Sequence, residues 1–169
     1  MPARRPALTR LAAGLLLVLA STCGAQEARV DPLWAATLTG LDDKPVAMDR
    51  FRGRPLAVNF WARWCTPCRD EIPDFVRARA KYKTKGMEVV GIAIEDKTGP
   101  VAEFAKAYEM TYPVVLAGDQ GIALMQAMGN KRAGLPFTVI VDRQGKVVAS
   151  KLGPMKMPEI EAAFEAATR

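Results

Sequence analysis

The chain has no histidine and only three cysteines among its 169 residues. A structural zinc ion takes about four nitrogen or sulfur ligands. One C-x-x-C spacing is present, Cys65 to Cys68, but no second pair and no histidine exist to complete such a site. Long apolar runs are also missing. The longest one near the start, Leu11–Ala20, falls short of the roughly 20 residues of a comfortable membrane span. Aromatics make up 7% of the chain and nowhere interleave with a basic patch, which argues against a base-stacking nucleic-acid surface. No internal repeat or low-complexity linker divides the sequence.

What is present begins with an export pattern. Residues 1–10 carry Arg4, Arg5 and Arg10 and no acid, the apolar Leu11–Ala20 follows, and small residues from Ser21 to Ala25 close the segment. That order of basic, apolar and small regions is that of a secretory signal, with cleavage expected after Ala25 and Gln26 as the new N-terminus. Two other readings stay open: lipidation at Cys23, after the loosely lipobox-like Ala20-Ser21-Thr22, and retention of the segment as an anchor. Arg4-Arg5 also invites a twin-arginine reading, which Pro6-Ala7-Leu8 does not support. The whole chain has 24 basic against 18 acidic residues. Residues 1–25 account for three Arg and no acid, which leaves 21 against 18 in the remainder. Basic and acidic residues intersperse along Arg69–Lys85, as on a solvated helix face, so no nucleic-acid partner is expected.

About 140 residues remain, enough for one domain with one core. We divide the chain into a signal at 1–25, a flexible lead-in at 26–32 and a single domain at 33–169. Trp34–Thr39 and Pro45–Met48 read as paired strands around a turn at Leu41–Lys44, with a turn or single helical turn at Asp49–Gly53. Pro55–Trp61 reads as a buried strand and Thr66–Lys85 as a helix closed by Gly86. Met87–Ile94 is an apolar, β-branched run suited to a parallel strand. Pro100–Tyr108 places Val101, Phe104, Ala105 and Tyr108 on one helix face, with Pro100 at the first position. Val114–Leu116 is a short strand and Ile122–Met128 a short helix. Phe137–Asp142 and Val147–Leu152 flank a hairpin turn at Arg143–Lys146, and Pro158–Ala167 is a closing amphipathic helix. This order predicts an α/β sandwich around a mixed sheet.

The chemistry concentrates in Trp64-Cys65-Thr66-Pro67-Cys68, at the junction of the predicted strand and helix. Two cysteines at this spacing can close and reopen a small disulfide. At a helix N-terminus the first thiol meets the positive end of the helix dipole, which favours the attacking thiolate. A static disulfide is the bland alternative, but so small a loop constrains the unfolded chain little. Pro67 removes a donor that the first turn leaves unpaired anyway, and Pro73 should kink the helix. Trp64 belongs either to a rim around the cysteines or to the core. Glu71 shares a helical face with Cys68, Ile72, Phe75 and Tyr82, and none of its neighbours at three or four residues is basic. Desolvation there would raise its pKa and suit it to exchange protons with Cys68; the alternative is a solvated surface acid. Met155 and Met157, set among prolines, read as loop and packing residues rather than soft-metal ligands.

The run Asn59–Cys68, with Glu71, Pro73 and then Gly134-Leu135-Pro136-Phe137, resembles the thioredoxin superfamily, and within it the TlpA/ResA branch of exported thiol–disulfide oxidoreductases. The resemblance covers Leu33 to the C-terminus. It implies a thioredoxin-like fold with a leading β-hairpin, and a redox-active Cys65–Cys68 disulfide with no other cofactor. Cys65 would attack from the exposed helix start and a buried Cys68 would resolve the mixed disulfide. An acid is implied at Glu71, and a cis bond before Pro136, facing the cysteines, with the Leu135 backbone open to a client. Trp64, Thr66, Pro67, Leu135 and Pro136 are the expected client contacts. Asn59 stands where thioredoxin has a buried aspartate and cannot itself take a proton. The implied partners are a disulfide-containing client protein and a membrane thiol-transfer protein as electron donor, with the protein a periplasmic monomer. Cytochrome c or copper-oxidase maturation are candidate settings. A copper-binding chaperone and a peroxide-reducing, peroxiredoxin-like enzyme are the alternative functions. Metal titration and peroxide consumption respectively separate them from a disulfide reductase.

Overall fold

The computed structural model describes residues 28–169, together with Met1; the expected signal at 1–25 lies outside this range, Met1 aside. Chain order is α1 (Asp31–Trp34), β1 (Thr37–Gly40), β2 (Pro45–Ala47), a 3₁₀ turn at Met48–Phe51, β3 (Leu56–Trp61), α2 (Thr66–Tyr82), a 3₁₀ turn at Lys83–Lys85, β4 (Glu88–Ala93), α3 (Thr98–Ala107), β5 (Val114–Leu116), α4 (Gln120–Ala127), β6 (Phe137–Val141), β7 (Val147–Leu152) and α5 (Met157–Ala167). The seven strands form one sheet in the order β2-β1-β5-β4-β3-β6-β7. β3, β4 and β5 run parallel, and β1, β6 and β7 pair antiparallel with their neighbours.

Every residue of β3 is buried. A strand covered on both faces has no polar side to alternate with, which is why its sequence is apolar at every position but Asn59. Successive side chains still point to opposite faces. Leu56, Val58 and Phe60 pack on the side of Leu33 and Met125, from α1 and α4. Ala57 and Trp61 pack on the side of Ile72, Val101 and Phe164, from α2, α3 and α5. Asn59 has the same parity as Ala57 and Trp61, so a polar amide is placed under α2 in the middle of the second layer.

Three local expectations are corrected. The proposed lead-in at 26–32 is not free where it is described, because Val30 is buried and Asp31–Trp34 makes a helical turn. The first strand therefore begins at Thr37 rather than Trp34; tertiary burial of Leu33 overrides the local β-like pattern. Helix α3 starts at Thr98, so Pro100 is its third residue, still within the turn whose N–H groups lack helical partners. The strand and helix ends are otherwise close to those expected. Helix α2 passes into the 3₁₀ turn and stops at Gly86, whose φ of 84° a residue with a side chain rarely adopts. Gly91 has a different reason. A Cβ there would sit 2.9 Å from Trp61 Nε1, so only glycine lets the Trp61 indole lie across β4.

Candidate active site at the start of helix α2

The site forms where β3 ends and α2 begins. Cys65 is the N-cap of α2, with extended backbone (φ −85°, ψ 100°), and its Sγ accepts the Cys68 backbone N–H at 3.3 Å. Cys65 and Cys68 are joined by a disulfide. The turn leading in is pinned by Glu95: its two carboxylate oxygens accept the Arg63 backbone N–H and the Arg63 Nε–H, each at 2.7 Å. Glu95 follows β4 and is 32 residues from Arg63, so nothing in the local sequence signals the pair.

The expected exposed start for Cys65 is corrected. It is only 5% exposed, and Cys68 is fully buried. Its exposed neighbours are Trp64, at 69%, with Thr66 and Pro67. Trp64 is thus a rim residue and not part of the core. The Leu135–Pro136 peptide is cis. Because Phe137 pairs with Phe60, residues 135 and 136 lie beside the end of β3, at the same edge of the sheet as Cys65. Leu135 is half-buried and Pro136 buried. Their loop is held by Asn130 Nδ2, which donates to the Gly134 carbonyl at 2.8 Å, and by the Gly153 N–H, which donates to the Pro136 carbonyl at 2.8 Å.

Glu71 has no exposed surface. It shares the buried face of α2 with Cys68, Ile72, Phe75, Ala78 and Tyr82. Its Oε1 accepts from Asn59 Nδ2 at 2.7 Å and its Oε2 from the Met155 backbone N–H at 2.8 Å. Burial pushes its pKa up to about 7, against the opposing pull of these two donors and of the Lys151 and Lys156 charges. Met155, read from sequence as a loop and packing residue, is buried and also supplies this backbone donor. Asn59 Nδ2 additionally donates to Thr138 Oγ1 at 3.0 Å. Tyr112 is buried nearby with its hydroxyl unpartnered, and burial together with the Glu71 charge raises its pKa. Thr138, Tyr112 and the Met155 backbone donor escaped the sequence reading because their relation to Glu71 is purely spatial.

Comparison with known proteins agrees with this architecture. The family model described as Redoxin matches residues 27–166. The thiol-disulfide oxidoreductase ResA of Bacillus thuringiensis subsp. konkukian (strain 97-27) is 30% identical over 124 residues, covering 73% of this chain and 69% of that one. ResA of Bacillus subtilis (strain 168) is 29% identical over 118 residues, covering 70% and 64% respectively. Among solved structures, a thiol:disulfide interchange protein of the thioredoxin family from Chlorobium tepidum TLS superposes with a TM-score of 0.67 at 28% identity, over 79% of this chain and 93% of that one. With its Cys65–Cys68 disulfide at the head of α2, the chain belongs to the Redoxin family, as a TlpA/ResA-like thiol–disulfide oxidoreductase of the thioredoxin superfamily.

Proposed function

We propose that this oxidoreductase works as a periplasmic reductant of protein disulfides, with Cys65 attacking, Cys68 resolving and Glu71 handling the proton. The observation that carries the reading is the asymmetry of the pair. Cys65 Sγ caps a 17-residue helix and accepts a backbone N–H, whereas Cys68 is sealed inside, one turn before a buried acid. The helix N-terminus and that N–H stabilise a Cys65 thiolate. A buried thiol lacks this help and needs a base to take its proton.

In the forward reaction the Cys65 thiolate attacks one sulfur of a client disulfide. A Cys65–client disulfide forms and the client's other sulfur leaves as a thiolate. Cys68 then attacks Cys65 Sγ, closing the 65–68 disulfide and releasing the second client sulfur. Two electrons pass to the client. They return from a dithiol, which we assign to a membrane thiol-transfer protein. The proton leaving Cys68 goes to Glu71, the only carboxyl on the buried face of α2. Trp64, Thr66 and Pro67, beside Cys65 in the chain, and Leu135 and Pro136, which precede the strand paired with β3, are assigned to client contact. The protein acts as a monomer, and cysteines of cytochrome c or of copper-oxidase assembly factors are the clients we favour. The basic, apolar and small-residue order of residues 1–25 supports the location.

The reduction potential is the decisive measurement. A value near the roughly −270 mV of thioredoxin supports the reductant reading, and one near about −120 mV overturns it in favour of an oxidant. Sequencing of the exported protein should place its N-terminus near Gln26. A lipid on Cys23, or an intact N-terminus in the membrane fraction, would replace cleavage with anchoring.

A further inference from the structure

The groups around Glu71 differ in how freely they can change roles. Its two resolved partners, the Met155 backbone N–H and Asn59 Nδ2, are both donors. That set suits a carboxylate, which only accepts. A protonated Glu71 carries an O–H of its own, and in the arrangement described this proton would face an N–H on either oxygen. The Met155 amide is backbone and can only donate. Asn59 is not so restricted. Half a turn about its terminal torsion exchanges Oδ1 and Nδ2 without altering the outline of the side chain. Thr138 Oγ1 lies 3.0 Å from the same end of the amide, and a hydroxyl donates as readily as it accepts. Asn59 Oδ1, at the other end, is buried without a partner, so no bond there resists the rotation.

We propose that Asn59 is a two-position amide switch, a positioning residue that turns Nδ2 toward Glu71 and Thr138 when Glu71 is ionised and Oδ1 toward both when Glu71 is protonated. The Thr138 hydroxyl reverses from acceptor to donor in step. This inference rests on the reading of Glu71 as the proton partner of Cys68. In that step the S–H bond of Cys68 breaks, an O–H bond forms at Glu71 Oε1, and no electrons move. Each protonation state keeps two hydrogen bonds at the amide, so neither is left with facing donors. The remaining charged or titratable groups around Glu71 are Lys151 on β7, Lys156 at the head of α5, Tyr112 before β5, and the two cysteines of α2. None of the first three contacts the Asn59 amide as a hydrogen-bond partner, which leaves Glu71 and Thr138 to set its orientation.

The test is nuclear magnetic resonance of the full, isotopically labelled oxidised protein between pH 4.5 and 9. The Glu71 Cδ shift reports its protonation. Contacts from the Asn59 Nδ2 protons to the Thr138 side chain report the amide. The expected result is strong contacts above the Glu71 midpoint, their loss below it, and a single shared midpoint. In Glu71→Gln the contacts should not vary with pH. Contacts that persist through the Glu71 titration, or a Glu71 that does not titrate in this range, overturn the proposal. A second measurement uses Asn59→Ala. A switch serves both forms of Glu71, so its removal should change proton affinity less than tenfold. A fixed donor serves only the carboxylate at about 1.5–3 kcal/mol, so a rise of tenfold or more identifies one and overturns the switch. Insulin reduction measured alongside keeps the two ideas apart, since a parent protein without reductase activity rejects the functional reading and leaves the amide result standing.

Discussion

Stability of the oxidised protein should fall as pH rises from 4.5 to about 7.5, the reverse of what an ion-paired carboxylate produces. The cause is Glu71. Its pKa moves from an ordinary 4.5 to about 7 because burial disfavours the charged form. The folded state therefore holds a proton that the unfolded chain has already released. Glu71's favourable contribution is complete below pH 4.5 and is lost as pH rises through 7. At ~1.4 kcal/mol per pH unit the total is about 3 kcal/mol, with the slope concentrated between pH 5 and 7. The absence of histidine keeps this window clear of the side chain that ordinarily titrates there. Lys151 beside Glu159 and Lys85 beside Glu165 hold those carboxyls below their ordinary range, so their effects fall at lower pH and have the opposite sign. The disulfide removes the two thiols from the titration. Denaturant unfolding of the oxidised parent and of Glu71→Gln at half-unit pH steps measures the effect. The parent curve should descend by about 3 kcal/mol while the Gln curve stays flat to within about 0.5 kcal/mol. Equal slopes in the two proteins would refute burial of the Glu71 charge as the cause.

The remaining expectations concern the thiols and the frame around them. Cys65→Ser should abolish insulin reduction, and Cys68→Ser should accumulate mixed disulfides with clients on non-reducing gels; trapping by the Cys65 variant instead would exchange the two roles. Glu71→Gln should slow resolution of the mixed disulfide by about 10–100-fold and flatten its pH dependence in stopped-flow between pH 5 and 10. Superimposable curves would remove Glu71 from proton transfer. Glu95→Ala strips acceptors from both the Arg63 backbone and its guanidinium, and should cost about 1–2 kcal/mol in denaturant unfolding, with Arg63 part-exposed. Gly91→Ala forces a methyl to within 2.9 Å of Trp61 Nε1 and should cost about 1–3 kcal/mol by the same assay.

Much of this molecule was legible along the chain. The apolar run of β3, interrupted only at Asn59, the proline-marked head of α2, the glycine that ends it and the turn between β6 and β7 are local signals, each set by the conformational demands of a few adjacent residues. They located the cysteine pair at a strand–helix junction, and helical spacing alone placed Glu71 on the inward face of α2. Trp64 remained undecided between rim and core, because exposure depends on what other segments cover. The same ignorance of cover made Cys65 look open, when only 5% of it reaches solvent. Of the turn at Asp31–Trp34, Trp34 was read as the start of a strand and residues up to Pro32 as lead-in, since the helical form follows from burying Leu33 against β3 and α4 rather than from its own pattern.

The division has a physical basis. Backbone propensity, side-chain period and the reactivity of two cysteines at C-x-x-C spacing act over a few residues, so the amino-acid sequence by itself determined most of the elements, the place of the cysteine pair and the helix face on which Glu71 lies. Hydrogen bonds between buried side chains and backbone groups form wherever folding brings the partners together, at any separation along the chain. Only the tertiary structure could place Asn59, Thr138 and the Met155 amide around Glu71, across separations of 12 to 84 residues, and clamp Arg63 to Glu95. Those contacts, with the loss of solvent around Glu71, decide how tightly it holds its proton.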